Sequence, residues 1–114
     1  MQLNKHFAEL RRRFTTDREH CGFITEYCVV EVSNCAIDPK THFEISEDDV
    51  ELYLDAAVAT WHSHPESSAN LSLEDHALFA EIRDCRHIIV SPTEIWVYYT
   101  TPKGVVMVEE RFCG

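Results

Sequence analysis

The sequence predicts a single α+β domain over residues 1–114, with helices packed on a largely antiparallel sheet. Three observations lead there. Apolar residues recur at helical spacing in separate short stretches, β-rich runs bounded by turn residues lie between and after them, and no linker, repeat or low-complexity tract divides the chain. The 114 residues are enough for one hydrophobic core, and 45% hydrophobic with 26% charged residues is ordinary globular composition.

Each element has its own local reason. Leu3, Phe7, Leu10 and Phe14 fall on one narrow helical face, which predicts a helix over 3–13. CGFIT at 21–25 and YCVVEV at 27–32 are β-rich and close enough in sequence to pair. Pro39 breaks the following loop, and His42 to Ile45 reads as a short extended piece. Ser46 is a good N-cap, and Glu47, Asp48 and Asp49 fill a first turn where the helix dipole favours anions. Val50, Tyr53, Leu54 and Ala57 extend that helix as an inward stripe. Ala56 to Trp61 then reads as a buried strand that runs into His62-Ser63-His64-Pro65. Residues 66–71 form a polar loop, and Ser72 caps a helix over 73–84. A strand follows at His87–Ser91, and Ile95–Thr100 with Val105–Glu110 form a hairpin across TPKG.

Charge and cysteine content narrow the function. Ten Lys and Arg stand against twenty Asp and Glu, for a net charge of −10. No basic stripe exists to displace counterions from a nucleic acid, so no nucleic-acid partner is expected. Arg11-Arg12-Arg13 reads as the solvated end of a helix. No apolar run approaches the ~20 residues of a membrane span, and the first residues lack the apolar core of a secretory signal, so no membrane partner and a cytoplasmic location are expected. The five cysteines are an odd number with no CxxC pair, which predicts reduced, mostly buried thiols and no cysteine zinc knuckle. A redox role for Cys21 is the alternative to a buried small hydrophobe.

The chemically informative segment runs from His62 to Asp75. Histidines at i and i+2 on a strand share a face and can converge on one ion; a pair of surface histidines is the competing account. Asp75 lies on the side of its helix marked by Leu78, Phe79 and Ile82, and a carboxylate there is costly unless paired or bound to a metal. A capping arrangement in which Asp75 reaches back toward Ser72 is the alternative. Two imidazoles and a carboxylate are a normal ligand set for catalytic zinc, with a fourth position for water. An HExxH zincin helix is absent. His64-Pro65-Glu66 imitates the first half of a zinc-deaminase signature, but no P-C-x-x-C follows.

His62-x-His64, seven residues, then Ser72-x-x-Asp75 resembles the JAMM motif of the MPN (Mov34/PAD-1) metallopeptidases. Glu19-x-Cys21-Gly22 resembles the E-x-C-G of bacterial and phage members, and the stretch from Asn34 through Ala36, Pro39, Phe43 and Ile45 to Asp49 resembles their connecting segment. The short relatives it is most similar to are the N-terminal domains of lambda-type phage tail assembly proteins. The resemblance implies a curved, mostly antiparallel sheet flanked by helices with cytidine-deaminase-like layering. It implies one Zn2+ per chain on His62, His64 and Asp75, with Glu19 as general base then acid and Ser72 donating to the oxyanion. The implied activity is hydrolysis of a peptide or isopeptide bond by metal-activated water. The implied partner is a protein or peptide substrate, a ubiquitin-like or phage tail protein, with an NlpC/P60-type domain as a possible companion and the host cytoplasm as the location of a phage-encoded form. A non-catalytic MPN scaffold module in a phage tail assembly is the alternative. Without the resemblance, Glu19 reads as a solvated charge in the DREH run.

Overall fold

A computed structural model describes residues 3–66, 75, 82, 85–101 and 104–112, with side chains described as far as 100. The protein is α+β, built on a six-stranded mixed sheet. A 3-10 turn over Leu3–His6 leads into helix α1 (Phe7–Arg13). Strands β1 (Cys21–Thr25) and β2 (Val29–Val32) pair antiparallel, as the two β-rich runs predict. Helix α2 (Glu47–Tyr53) is followed by β3 (Ala57–Ser63), β4 (Arg86–Val90), β5 (Glu94–Thr101) and β6 (Gly104–Phe112). The strand order is β2-β1-β3-β4-β5-β6. Every neighbouring pair is antiparallel except β3 and β4, which run parallel. A parallel pair needs a crossover, so the chain must leave the carboxyl end of β3 and travel back to start β4. That crossover carries Asp75, whose backbone is helical; of the helix expected over 73–84, Ile82 is in a bend rather than a helix, and the other positions lie outside the described residues.

Strand alternation divides the sheet into two faces. Ile24, Ala59, Trp61, Ile88, Val90, Ile95 and Val97 form a core with Leu3, Phe7 and Leu10 beneath α1. The opposite face takes Cys21, Phe23, Thr60, His62, His87 and Ile89, since Cys21 pairs with His62, Phe23 and His87 with Thr60, and Ile89 with His62. The apolar core and the histidines therefore occupy opposite sides of the same strands. Gly22 is required where β1 meets β2. A Cβ there would overlap the Val30 carbonyl oxygen, the acceptor of the Trp61 indole N–H at 3.2 Å.

Several local expectations are corrected. His42 to Ile45 joins no ladder, because the Asn34 side chain takes hydrogen bonds that a neighbouring strand would otherwise make. Ser46 does cap α2, its Oγ accepting from the Asp49 N–H at 3.2 Å. The helix stops at Tyr53, however, and Ala57 belongs to β3 rather than to the helical stripe. None of the α2 residues is fully buried, and Tyr53 at its end meets Phe23 of β1 with ring centroids 5.9 Å apart. Arg11 is not a solvated end: its guanidinium donates to the Ser91 carbonyl at 2.6 Å and the Glu94 carbonyl at 3.3 Å, tying α1 to the β4–β5 turn. Arg12 and Arg13 pair with Glu9. Among the described cysteines, Cys21 and Cys85 are buried whereas Cys28 and Cys35 are exposed, and all four are free thiols. Burial pushes the Cys21 thiol up to about 12, the behaviour of an inert small hydrophobe rather than a redox thiol. Among the described residues no helix is long and apolar enough to cross a membrane.

Candidate metal centre

His62 projects from the last turn of the β3 pleat, and His64 follows one residue past its end. The parallel ladder continues far enough to hold that end, the His64 N–H donating to the Val90 carbonyl at 2.8 Å. Two residues of extended chain put both rings on one face, as the i, i+2 spacing predicts. Their Nε2 atoms stand 3.1 Å apart. Asp75 comes down on them from the crossover, Oδ1 at 2.9 Å from His62 Nε2 and Oδ2 at 3.1 Å from His64 Nε2. Asp75 is only 4% exposed and His62 1%.

Glu19 enters from a third segment, just ahead of β1. It is 6% exposed, not solvated, and a carboxylate oxygen of Glu19 lies within 4.8 Å of donor nitrogens on both His62 and His64. The Glu19 backbone is held on both sides: its N–H donates to the Pro39 carbonyl at 2.6 Å and its carbonyl accepts from Asn34 Nδ2 at 2.8 Å. The next residue is clamped to β3 by Ser63, whose N–H donates to the His20 carbonyl at 2.9 Å while its Oγ accepts from the His20 N–H at 2.8 Å. Ser63 thus fastens the segment that carries Glu19 to the end of β3 between the two histidines.

The donor set fits a divalent cation. Around a tetrahedral zinc with arms of about 2.0–2.1 Å, neighbouring donors lie about 3.3 Å apart, close to the separations seen here. Hydrogen bonding among the three side chains fits less well. If each ring donates an Nε2–H to Asp75, two proton-bearing nitrogens stand only 3.1 Å apart with no acceptor between them. A cation uses all the lone pairs at once. Burial drives the His62 pKa below the ordinary histidine value, so the ring is neutral and able to ligate. Burial alone would push the Asp75 carboxyl up, but hydrogen bonds and charge from His62 and His64 outweigh it and hold the group well below the usual carboxylate range. The Glu19, His62 and His64 cluster can therefore bind a metal ion, and Asp75 adds a second carboxylate against the same rings.

Of the five residues singled out in the sequence, His62, His64, Asp75 and Glu19 come together; Ser72 lies outside the described residues. Sequence reasoning missed three contributors. Phe43 stacks on the His62 ring with centroids 4.3 Å apart and planes 23° apart, covering one face of the imidazole. Asn34 is noted above. His87, fully buried, meets Thr60 Oγ1 through Nδ1 at 2.6 Å and the Ile82 carbonyl through Nε2 at 3.0 Å. A carbonyl only accepts, so Nε2 carries the proton and Nδ1 accepts from the Thr60 hydroxyl. That neutral tautomer pins the crossover to the sheet two strand positions from His62. Its only sequence signal is a histidine leading the apolar run Ile88–Val90.

No family model matches the sequence, and no curated protein matches it. Among solved structures, the solution structure of protein DSY2949 from Desulfitobacterium hafniense aligns with a TM-score of 0.71 at 20% identity, over 92% of this chain and 86% of that one. At that identity the likeness concerns the fold alone.

Proposed function

We propose that this protein is a zinc-dependent metallopeptidase of the JAMM type, hydrolysing a peptide or isopeptide bond in a protein substrate. The observation that carries the reading is the convergence of two imidazoles and two buried carboxylates from three separated segments on the histidine face of one sheet. His62, His64 and Asp75 would hold the ion. Zinc would supply Lewis acidity, bringing the ionisation of a water from ~15.7 to about 7.

The chain's own part is positioning and proton transfer. His62 and His64 are set by the end of β3, and Phe43 shields one ring face, so the imidazoles are held in one orientation. Asp75 touches both rings, which supports its place on the ion, and Glu19, from the segment ahead of β1, takes the proton-transfer role that the resemblance implies. A Glu19 carboxylate oxygen takes the proton of the attacking water and returns it to the leaving nitrogen, the general base then acid of amide hydrolysis. Burial beside the rings keeps Glu19 out of bulk water, where its charge would be screened. The oxyanion donor implied for Ser72 belongs to the same reading.

The test is Glu19→Gln. Wild-type protein is incubated with a mixed-sequence peptide library and an isopeptide-linked protein dimer, the products are read by mass spectrometry, and bound zinc is measured by elemental analysis. The reading expects about one zinc per chain in both proteins and cleavage at least 100-fold slower in the variant. Zinc-free wild-type protein that cleaves nothing would overturn it and favour a scaffold role, and equal cleavage by the two would overturn the role of Glu19.

A further inference from the structure

We propose that Asn34 is a positioning residue that sets Glu19 and Phe43 against His62 at the same time; this rests on the metallopeptidase reading of the site. Asn34 sits two residues past the end of β2, at the root of the long excursion that leads to α2. It is half-buried and its amide uses its full hydrogen-bonding capacity. Nδ2 donates to the Glu19 carbonyl at 2.8 Å and to the His42 carbonyl at 2.9 Å. Oδ1 accepts from the Ala36 N–H at 3.0 Å and from the Glu44 N–H at 3.1 Å. Two carbonyls on one end and two amide N–H groups on the other leave a single orientation for the amide.

The partners explain why this matters at the site. Glu19 is the residue proposed to move the proton, and its carbonyl is one of the four. His42 and Glu44 flank Phe43, the ring stacked on His62. One side chain therefore bridges the segment bearing the base and the segment bearing the shield. The Cys35 N–H to Glu44 carbonyl bond at 2.8 Å closes the same loop, so the excursion is held by Asn34 and its neighbour in place of a ladder. No other side chain of this length offers two donors and two acceptors. Aspartate keeps the acceptor end and turns two donors into a carboxylate facing two carbonyls, whereas alanine removes all four bonds. None of the proposed ion-holding side chains is touched by either change.

The experiment compares wild type, Asn34→Asp and Asn34→Ala. The first readout is NMR of the metal-free proteins. The stacked Phe43 ring shifts the His62 ring protons upfield in wild type, and both variants are expected to move them back toward the shift of an unstacked histidine. The second is cleavage of the peptide library's best substrate, with kcat expected to fall at least tenfold at unchanged KM. Bound zinc should stay at the wild-type level, and each assay runs well below the variant's melting temperature, which separates positioning from stability. A variant that keeps the wild-type His62 ring shift, or the wild-type kcat, overturns the assignment. If wild type cleaves nothing, the metallopeptidase reading fails by itself, and the ring shift still decides whether Asn34 positions Phe43.

Discussion

Zinc should stabilise this protein through His62, His64 and Asp75, and the size of the effect can be worked out. A ligand at a hundredfold excess over its dissociation constant, binding only the folded state, adds about 2.7 kcal/mol. For 114 residues, an unfolding entropy of about 2.1 cal/mol/K per residue totals about 0.24 kcal/mol/K, so the melting temperature should rise by about 11 °C. The assay is a thermal melt of chelator-stripped protein with and without zinc at that excess. Asp75→Asn is the sharpest perturbation, because it retains the shape of the side chain but replaces a carboxylate oxygen 2.9 Å from His62 with a neutral amide group. The variant loses stability without metal as well, since two buried rings lose a charged acceptor. The difference between its melts with and without zinc removes that contribution. It should shrink to a few degrees at the same zinc concentration, because losing one of three protein ligands weakens binding by well over tenfold. An unchanged zinc shift in Asp75→Asn, or no shift in wild type, would refute the assignment of these residues to an ion.

Gly22→Ala should destabilise the fold by about 3 kcal/mol, from overpacking against the Val30 backbone and loss of the Trp61 indole bond to the same carbonyl, measured by denaturant unfolding. A cost below 1 kcal/mol would mean that β1 and β2 can separate freely at that point. His87 is held by burial at a pKa of about 4 against an ordinary 6.5. Its folded value is depressed, so its contribution is intact above 6.5 and is lost as pH falls toward 4, in full about 3 kcal/mol. Between pH 7 and pH 5, wild type should lose roughly 2 kcal/mol more stability than His87→Gln; parallel losses would contradict a neutral, buried His87.

Legibility in the sequence followed the range of the physics. Strand β1 at CGFIT, the Ser46 cap and the common face of His62 and His64 were all readable, because β propensity, capping and the two-residue pleat act within a few residues. Misreadings lie where a distant partner overrides local preference. Arg11 looked like the solvated end of a charged helix until the carbonyls of Ser91 and Glu94, some eighty positions away, claimed its guanidinium. His42 to Ile45 looked like a strand, but Asn34 satisfied its backbone from the side. Glu19 looked exposed within a polar run, and only β1–β3 pairing with the Ser63 clamp buries it beside the rings.

The order and type of most described elements, and the kinds of atoms available to meet an ion, were thus legible in local chemistry. Which of those atoms meet was a matter of topology. The parallel β3–β4 step forces a crossover that brings Asp75 back over His62 and His64, and the β1–β3 register slides Glu19 to the same end. Contacts between segments so far apart depend on how the whole sheet is ordered, a property no short window of residues contains.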